Sequence, residues 1–477
     1  MDTAIFFAQL LARFHALSYA MVPEARGKRD LRIDLLRGFC VFVMIVDHVG
    51  GEASWLYILT GGNRFFVSAA EGFVLLSGVS MGIVHAATIR REGSRAMLGK
   101  VFGRARFLYA LTVGLTISFA AASALLGTPW AAAATPATGK VAFALEVITF
   151  HRSYSLTDVL VLYTLVVLAA GPALWLMSRG GTAIVLGLSF GAWSLAQVSL
   201  DLVPRAWSIV DGGFPFAAWQ LLFFLGLAIG YHRERIAAYL RPERLVAVGV
   251  AAILALLAVD AVATHFVAGW TGLDTQELLF DKNDARIGRI FALLGAASFL
   301  YAAVTVAWVP LRRAAGWLLM PLGQRSLFAY GVQLFVVAFW SSELMAPVRL
   351  DRENALFQGT AVLMVWAACR LVRPEWLDLR AMRERIAVEV QVVREMSAPI
   401  ARRVVAGPFV PGVRHLQRRE LPVELLRQPE PRVLLTDVDP QVDGAQQLGL
   451  RERELHRIPL GVIGRQAEVA GSGVVAA

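Results

Sequence analysis

Apolar runs of roughly 20 residues, each long enough to cross a hydrocarbon core of about 30 Å as a helix, recur along the first 373 positions between short polar stretches. They lie near 33–50, 65–89, 106–127, 157–177, 182–200, 215–231, 245–266, 288–309, 317–341 and 354–372. This pattern predicts an all-α fold, a polytopic bundle of about ten transmembrane helices. Three segments follow: an amphipathic cytoplasmic piece over 1–30, a membrane domain over 31–374, and an Arg-rich cytoplasmic tail over 375–477. In the tail, 375–404 has helical spacing suited to an anionic membrane face, and the rest reads as weakly structured.

Positive charge sets the orientation, because loops rich in Lys and Arg stay in the cytoplasm. Arg26, Lys28 and Arg29 precede the first run, Arg90, Arg91, Arg95, Lys100, Arg104 and Arg106 follow the second, and Arg233, Arg235, Arg241 and Arg244 follow the sixth. Both termini are therefore expected in the cytoplasm. Composition agrees with lipid as the main solvent: 57% hydrophobic and 17% charged, against about 25% charged in soluble domains. The net charge of +10 reads as topology, not as nucleic-acid binding. Cys40 and Cys369 sit in apolar runs and read as packing residues; no metal-ligand spacing or nucleotide-binding glycine loop appears.

Charged groups at bilayer depth are costly and usually face a bundle interior or a water cavity. The first run, RIDLLRGFCVFVMIVDHVGG, carries Arg32, Asp34, Arg37, Asp47 and His48. Eleven residues separate Arg37 from His48, returning them to within about 20° of one helix face and about 16 Å apart along it. Asp34 lies about 40° from that line, and Asp47 points about 100° away. The arrangement suits a long substrate with its anionic part near Arg32 and Arg37 and its reactive end at His48, a general base for an acceptor hydroxyl. Arg32 is mainly an interfacial anchor. Glu71 needs an ion-pair partner, expected from Arg64 or a charge of the first run. Asp158 is expected to cap its helix with Thr157. Trp219 and Gln220 stand in FPFAAWQLLFFLG, where Gln220 needs an inward hydrogen-bond partner. His85 reads as an interfacial residue, and Gly78 with Gly82 as a close-approach pair.

RIDLLRGFCVFVMIVDHV, AAEGFVLLSG, LTDVLVLYTLVVLAAGP, FAAWQLLFFLGLAIG, DKNDARIGRIFALLG and PLGQRSLFAYGVQLF together resemble the OpgC family of membrane acyltransferases, relatives of the acyltransferase-3 superfamily. The resemblance covers roughly 30–372. It implies O-acyl transfer in the inner membrane, from cytoplasmic acyl-CoA, such as succinyl-CoA or acetyl-CoA, to a hydroxyl of an extracytoplasmic glucan or other glycan. The superfamily's essential arginine and histidine fall on Arg37 and His48. On that basis Asp34, Arg32 and Arg37 would hold or line the path of Coenzyme A. Glu71, Asp158, Trp219 and Gln220 would serve the acceptor side. The alternative is a transporter of a glycan or lipid-linked sugar, which the lack of a visible inverted repeat or pair of broken helices disfavours.

Overall fold

The computed structural model describes residues 18–19, 29–49, 54–60, 66–126, 139–154, 156–198, 214–237, 239, 241–262, 275–341 and 354–372. The expected tail lies outside them, as does all of 1–30 except Ser18, Tyr19, Arg29 and Asp30. Chain contacts divide the protein into Met1–Met382 and Arg383–Ala477.

Every regular element among the described residues is a helix. In chain order they are α1 (Leu31–His48), α2 (Trp55–Leu59), α3 (Ala69–Leu126), α4 (Lys140–Ile148), α5 (Asp158–Met177), α6 (Thr182–Val198), α7 (Phe216–Tyr231), α8 (Arg233–Ile236), α9 (Pro242–Val262), α10 (Thr275–Phe280), α11 (Ile287–Val306), α12 (Trp308–Gln324), α13 (Ser326–Ser341) and α14 (Asn354–Leu371). The all-α expectation holds.

Four of these are long and apolar enough to cross a membrane, or five if the bent pair α12 and α13 is one span. Ten runs shrink to that number for identifiable reasons. Gly93, in a left-handed conformation (φ 85°), joins two arms into the single 58-residue α3. The helices α6 and α7 have only 17 and 16 residues, the apolar part of α14, Ala355–Leu371, is also too short, and α1 carries too many charges to qualify on apolarity. Between α12 and α13 the chain turns by 92° at Arg325. The single run expected near 317–341 is therefore a bent pair of helices. Pro321 lacks an amide proton inside α12, and Arg325 leaves helical geometry four residues later. Arg325 Nη1 then donates to the carbonyls of Cys369 and Val372 at 2.6 and 2.5 Å, capping the end of α14.

The central helix is α1, which touches α3, α11, α12, α13 and α14. Asp30 starts it, its carboxylate accepting from the Arg32 amide at 3.1 Å. Small residues let backbones meet around it: a Cβ on Gly38 would strike the Leu319 carbonyl, and one on Gly323 the Asp34 carbonyl. The same device joins α3 to α7. Gly78 and Gly82 face the Phe223 and Leu227 carbonyls, and Gly226 and Gly230 face those of Leu75 and Val79. Cys40 and Cys369 are buried and free.

Candidate functional site

Polar contacts gather at two ends of α1. At the Asp30 end, the Asp30 carboxylate receives Arg32 Nε at 2.9 Å and Nη2 at 2.8 Å, and Arg233 Nη2 at 2.8 Å. Burial alone would raise this carboxyl. The Arg32 hydrogen bonds and the Arg32 and Arg233 charges outweigh burial and hold it below the ordinary aspartate range. The Arg32 guanidinium also lies 4.4 and 4.5 Å from the Tyr19 and Tyr301 ring centres and donates to Thr305. Asp34 accepts two bonds from Arg29, at 2.6 and 2.8 Å. Both residues are thus engaged within the protein. Arg90 pairs with Glu234 at 2.8 Å, so charges from three expected cytoplasmic loops collect at one end.

Two turns further along α1, Arg37 enters a cavity of 360 Å³ bounded by α1, both arms of α3, α5, α7 and α13. Arg104 and His85 line it too, with the hydroxyls of Ser77, Ser80, Tyr163 and Tyr330. Tyr163 is held in place by hydrogen bonds to the Phe73 carbonyl and Ser77 Oγ, both 3.0 Å, and Tyr330 donates to the Leu156 carbonyl at 2.7 Å. The Arg37 guanidinium lies 5.6 Å from the Phe73 ring centre. Its Nε is buried without a hydrogen-bond partner, as is His85 Nδ1. No carboxylate among the described residues lines the space. His85, expected at an interface, is here a wall of the cavity. The sequence gives one faint sign of it: Ser77, Met81 and His85 recur every four residues, one face of a helix.

At the opposite end, His48 closes α1 as a residue that keeps contact with solvent, between buried Val46 and Val49. Asp47 accepts from Thr60 Oγ1 at 3.4 Å. Glu71 is buried, and its ion-pair partner among the described residues is Arg289 rather than a charge of the first helix: Arg289 Nε and Nη2 reach its two oxygens at 2.5 and 3.1 Å; Arg64, also expected, lies outside the described residues. The Ser68 amide donates to Glu71 at 2.6 Å, and Arg289 Nη1 donates to the Phe280 carbonyl at 3.1 Å.

The turn that follows Phe280 is fastened from outside. Trp219 Nε1 donates to the Asn283 carbonyl at 3.0 Å, Trp193 Nε1 to that of Ala285 at 2.9 Å, and Gln197 Nε2 to that of Asp284 at 2.8 Å. Ala285 has a positive φ of 47°, a conformation costly for alanine that these three bonds hold in place. Lys282, in the same turn, feels the charges of Glu71 and Asp47, and its own charge acts on His48. Burial lowers its ammonium below the ordinary range, with Glu71 and Asp47 partly offsetting that.

Gln220 finds the partner that its position required: Ser189 Oγ donates to it at 2.6 Å, and its amide donates to the Ser189 carbonyl at 2.8 Å. Asp158 is buried at the start of α5, where its Oδ1 accepts from the Val159 amide at 2.9 Å. Thr157 holds the N-cap position, but its side chain makes no capping bond. Its hydroxyl donates to the Tyr154 carbonyl at 2.8 Å.

The structure thus separates the predicted residues. Arg37 lies in the cavity, Arg32 and Asp34 at the end nearest Asp30, and His48, Glu71, Asp158, Trp219 and Gln220 nearer the opposite end or within helix contacts.

Among curated proteins nothing matches this chain, and among solved structures nothing matches it either. A family model described as OpgC protein matches residues 29–376, every helix described above included. The match and the apolar helices make this a multi-pass membrane protein, and the chain belongs to the OpgC family.

Proposed function

We propose that the protein is an O-acyltransferase of the inner membrane, moving a succinyl or acetyl group from cytoplasmic acyl-CoA to a hydroxyl of an extracytoplasmic glucan or other glycan. In this reading the chain crosses the bilayer about ten times, with the Asp30 end and both termini cytoplasmic. The observation that carries it is the placing of Arg37 and His48 on one helix, the arginine in a cation-lined cavity and the histidine exposed at the far end. Membership of the OpgC family supports the reaction class.

The donor thioester extends along α1 from the cavity toward His48. The acceptor hydroxyl oxygen attacks the thioester carbonyl while the His48 imidazole takes its proton. The tetrahedral intermediate collapses, the carbon–sulfur bond breaks, and the leaving thiolate takes the proton from the His48 imidazolium to become a free thiol. Lys282 supplies positive charge for the oxyanion formed between these steps.

The bent pair at Arg325 favours a second reading, glycan transport without chemistry, since broken helices build many transport sites. One assay separates the two. The purified protein is given labelled acyl-CoA and a glucan, as wild type and as His48→Ala. Transfer falling at least 100-fold in the variant is expected; undiminished transfer removes His48 from the mechanism. Glycan entering sealed vesicles unmodified would replace acyl transfer with transport.

A further inference from the structure

Arg37 has no hydrogen bond and no ion pair among the described residues, although its Nε is buried inside a membrane bundle. The residue as a whole is half-buried, and a guanidinium nitrogen shut away from water without a hydrogen-bond acceptor is unfavourable. The nearest carboxylate along its helix, Asp34, is occupied by Arg29 at 2.6 Å. What faces Arg37 across the cavity is a second cation, Arg104, close enough for the two charges to repel. Arg104, an exposed residue on the second arm of α3, also has no carboxylate partner among the described residues, and its guanidinium rests 5.5 Å from the Phe107 ring centre. His85, on the same wall, leaves Nδ1 buried and unpartnered.

Two arginines without a carboxylate hydrogen-bonded to them among the described residues, an imidazole and a set of hydroxyls describe a site that a multiply charged anion satisfies. A metal ion would meet only repulsion. A single carboxylate would leave one arginine unmatched, whereas a phosphate ester carries enough charge and enough acceptor oxygens for both guanidinium forks.

We infer that Arg37, Arg104 and His85 form a phosphate-binding site, with Arg104 and His85 as binding residues for the phosphorylated part of the donor. Naming Coenzyme A as the carrier of those phosphates rests on the acyl-transfer reading. The phosphate chemistry itself does not, and a phospholipid headgroup could supply the same group.

The test uses the full chain in detergent. Binding of Coenzyme A, of its dephospho form lacking the 3′-phosphate, and of pantetheine is measured by tryptophan fluorescence for wild type, Arg104→Met, Arg104→Lys, His85→Gln and His48→Ala. Wild type is expected to bind Coenzyme A at least tenfold more tightly than pantetheine. Arg104→Met should lose at least tenfold for Coenzyme A but nothing for pantetheine, His85→Gln should lose several-fold, and Arg104→Lys should recover part of the loss. Without ligand, Arg104→Met should melt no lower than wild type, because a repelling charge has gone. Equal affinity for Coenzyme A and pantetheine, or Coenzyme A binding unchanged in Arg104→Met, overturns the inference. Phosphatidate in nanodiscs that binds in an Arg104-dependent manner while Coenzyme A does not keeps the phosphate site and reassigns its source to lipid. Coenzyme A bound through Arg104 by a protein that transfers no acyl group leaves the site standing and removes the acyl-transfer reading. His48→Ala should bind normally.

Discussion

A single side chain, Lys282, illustrates how this protein places charge where it is costly. Burial depresses its ammonium below the usual value of about 10.4. Between the depressed and the ordinary value the unfolded chain holds the proton and the folded chain does not, so stability rises with pH across that window. Lys282→Met should therefore melt higher than wild type at neutral pH, lose this alkaline rise, and transfer acyl groups at least tenfold more slowly. Thermal melts from pH 7 to 11 in detergent check the first two expectations. A variant that keeps the wild-type slope would show that another group titrates. At this scale the sequence was legible where a charge stood alone in an apolar run. Arg37 and His48 are conspicuous in RIDLLRGFCVFVMIVDHV because lipid should exclude them. Arg104 is hidden among the basic residues 90–106, which read as a topological signal. Arg289 was missed as the partner of Glu71 because the two are 218 residues apart, a separation that only folding closes.

Helix pairs turn those isolated residues into a site. The α3–α7 crossing depends on Gly78, Gly82, Gly226 and Gly230, and a side chain at any of them meets a backbone carbonyl that cannot rotate away. Gly226→Leu should thus lie at the upper end of overpacking costs, about 3 kcal/mol, read as a lowered melting temperature with loss of Coenzyme A binding, since Phe223 and Ser77 line the cavity from these helices. Unchanged melting would mean that the two helices have room to separate. Glu71 and Arg289 act in the same way between α3 and α11. Removing one partner leaves a buried charge, at about 3–5 kcal/mol. The close-approach pair on α3 was readable from its four-residue spacing, since small residues at that interval have few other uses in an apolar helix. The break at Arg325 was not, because its causes lie apart: Pro321 weakens the helix, Gly323 is drawn against α1, and Arg325 is claimed by carbonyls of α14.

At the scale of the whole molecule, the question is how much chain the chemistry needs. The OpgC match ends at 376, the compact unit containing all described helices ends at Met382, and the last described helix is already capped from within that unit by Arg325. The cavity cations sit on α1 and α3, and the groups around His48 come from α1, α2, α3 and the turn before α11. All of these described groups lie within the first unit, Met1–Met382. A chain ending at Met382 should therefore fold, bind Coenzyme A with wild-type affinity in an Arg104-dependent way, and retain acyl transfer within a factor of about 3, a difference of roughly 0.7 kcal/mol. Comparing the two chains in detergent and in anionic vesicles adds a second readout. If the arginines of the tail serve only to hold an anionic membrane face, truncation weakens vesicle association and leaves turnover in detergent untouched. A truncated chain that melts like the full one but transfers nothing would instead place part of the machinery beyond Met382.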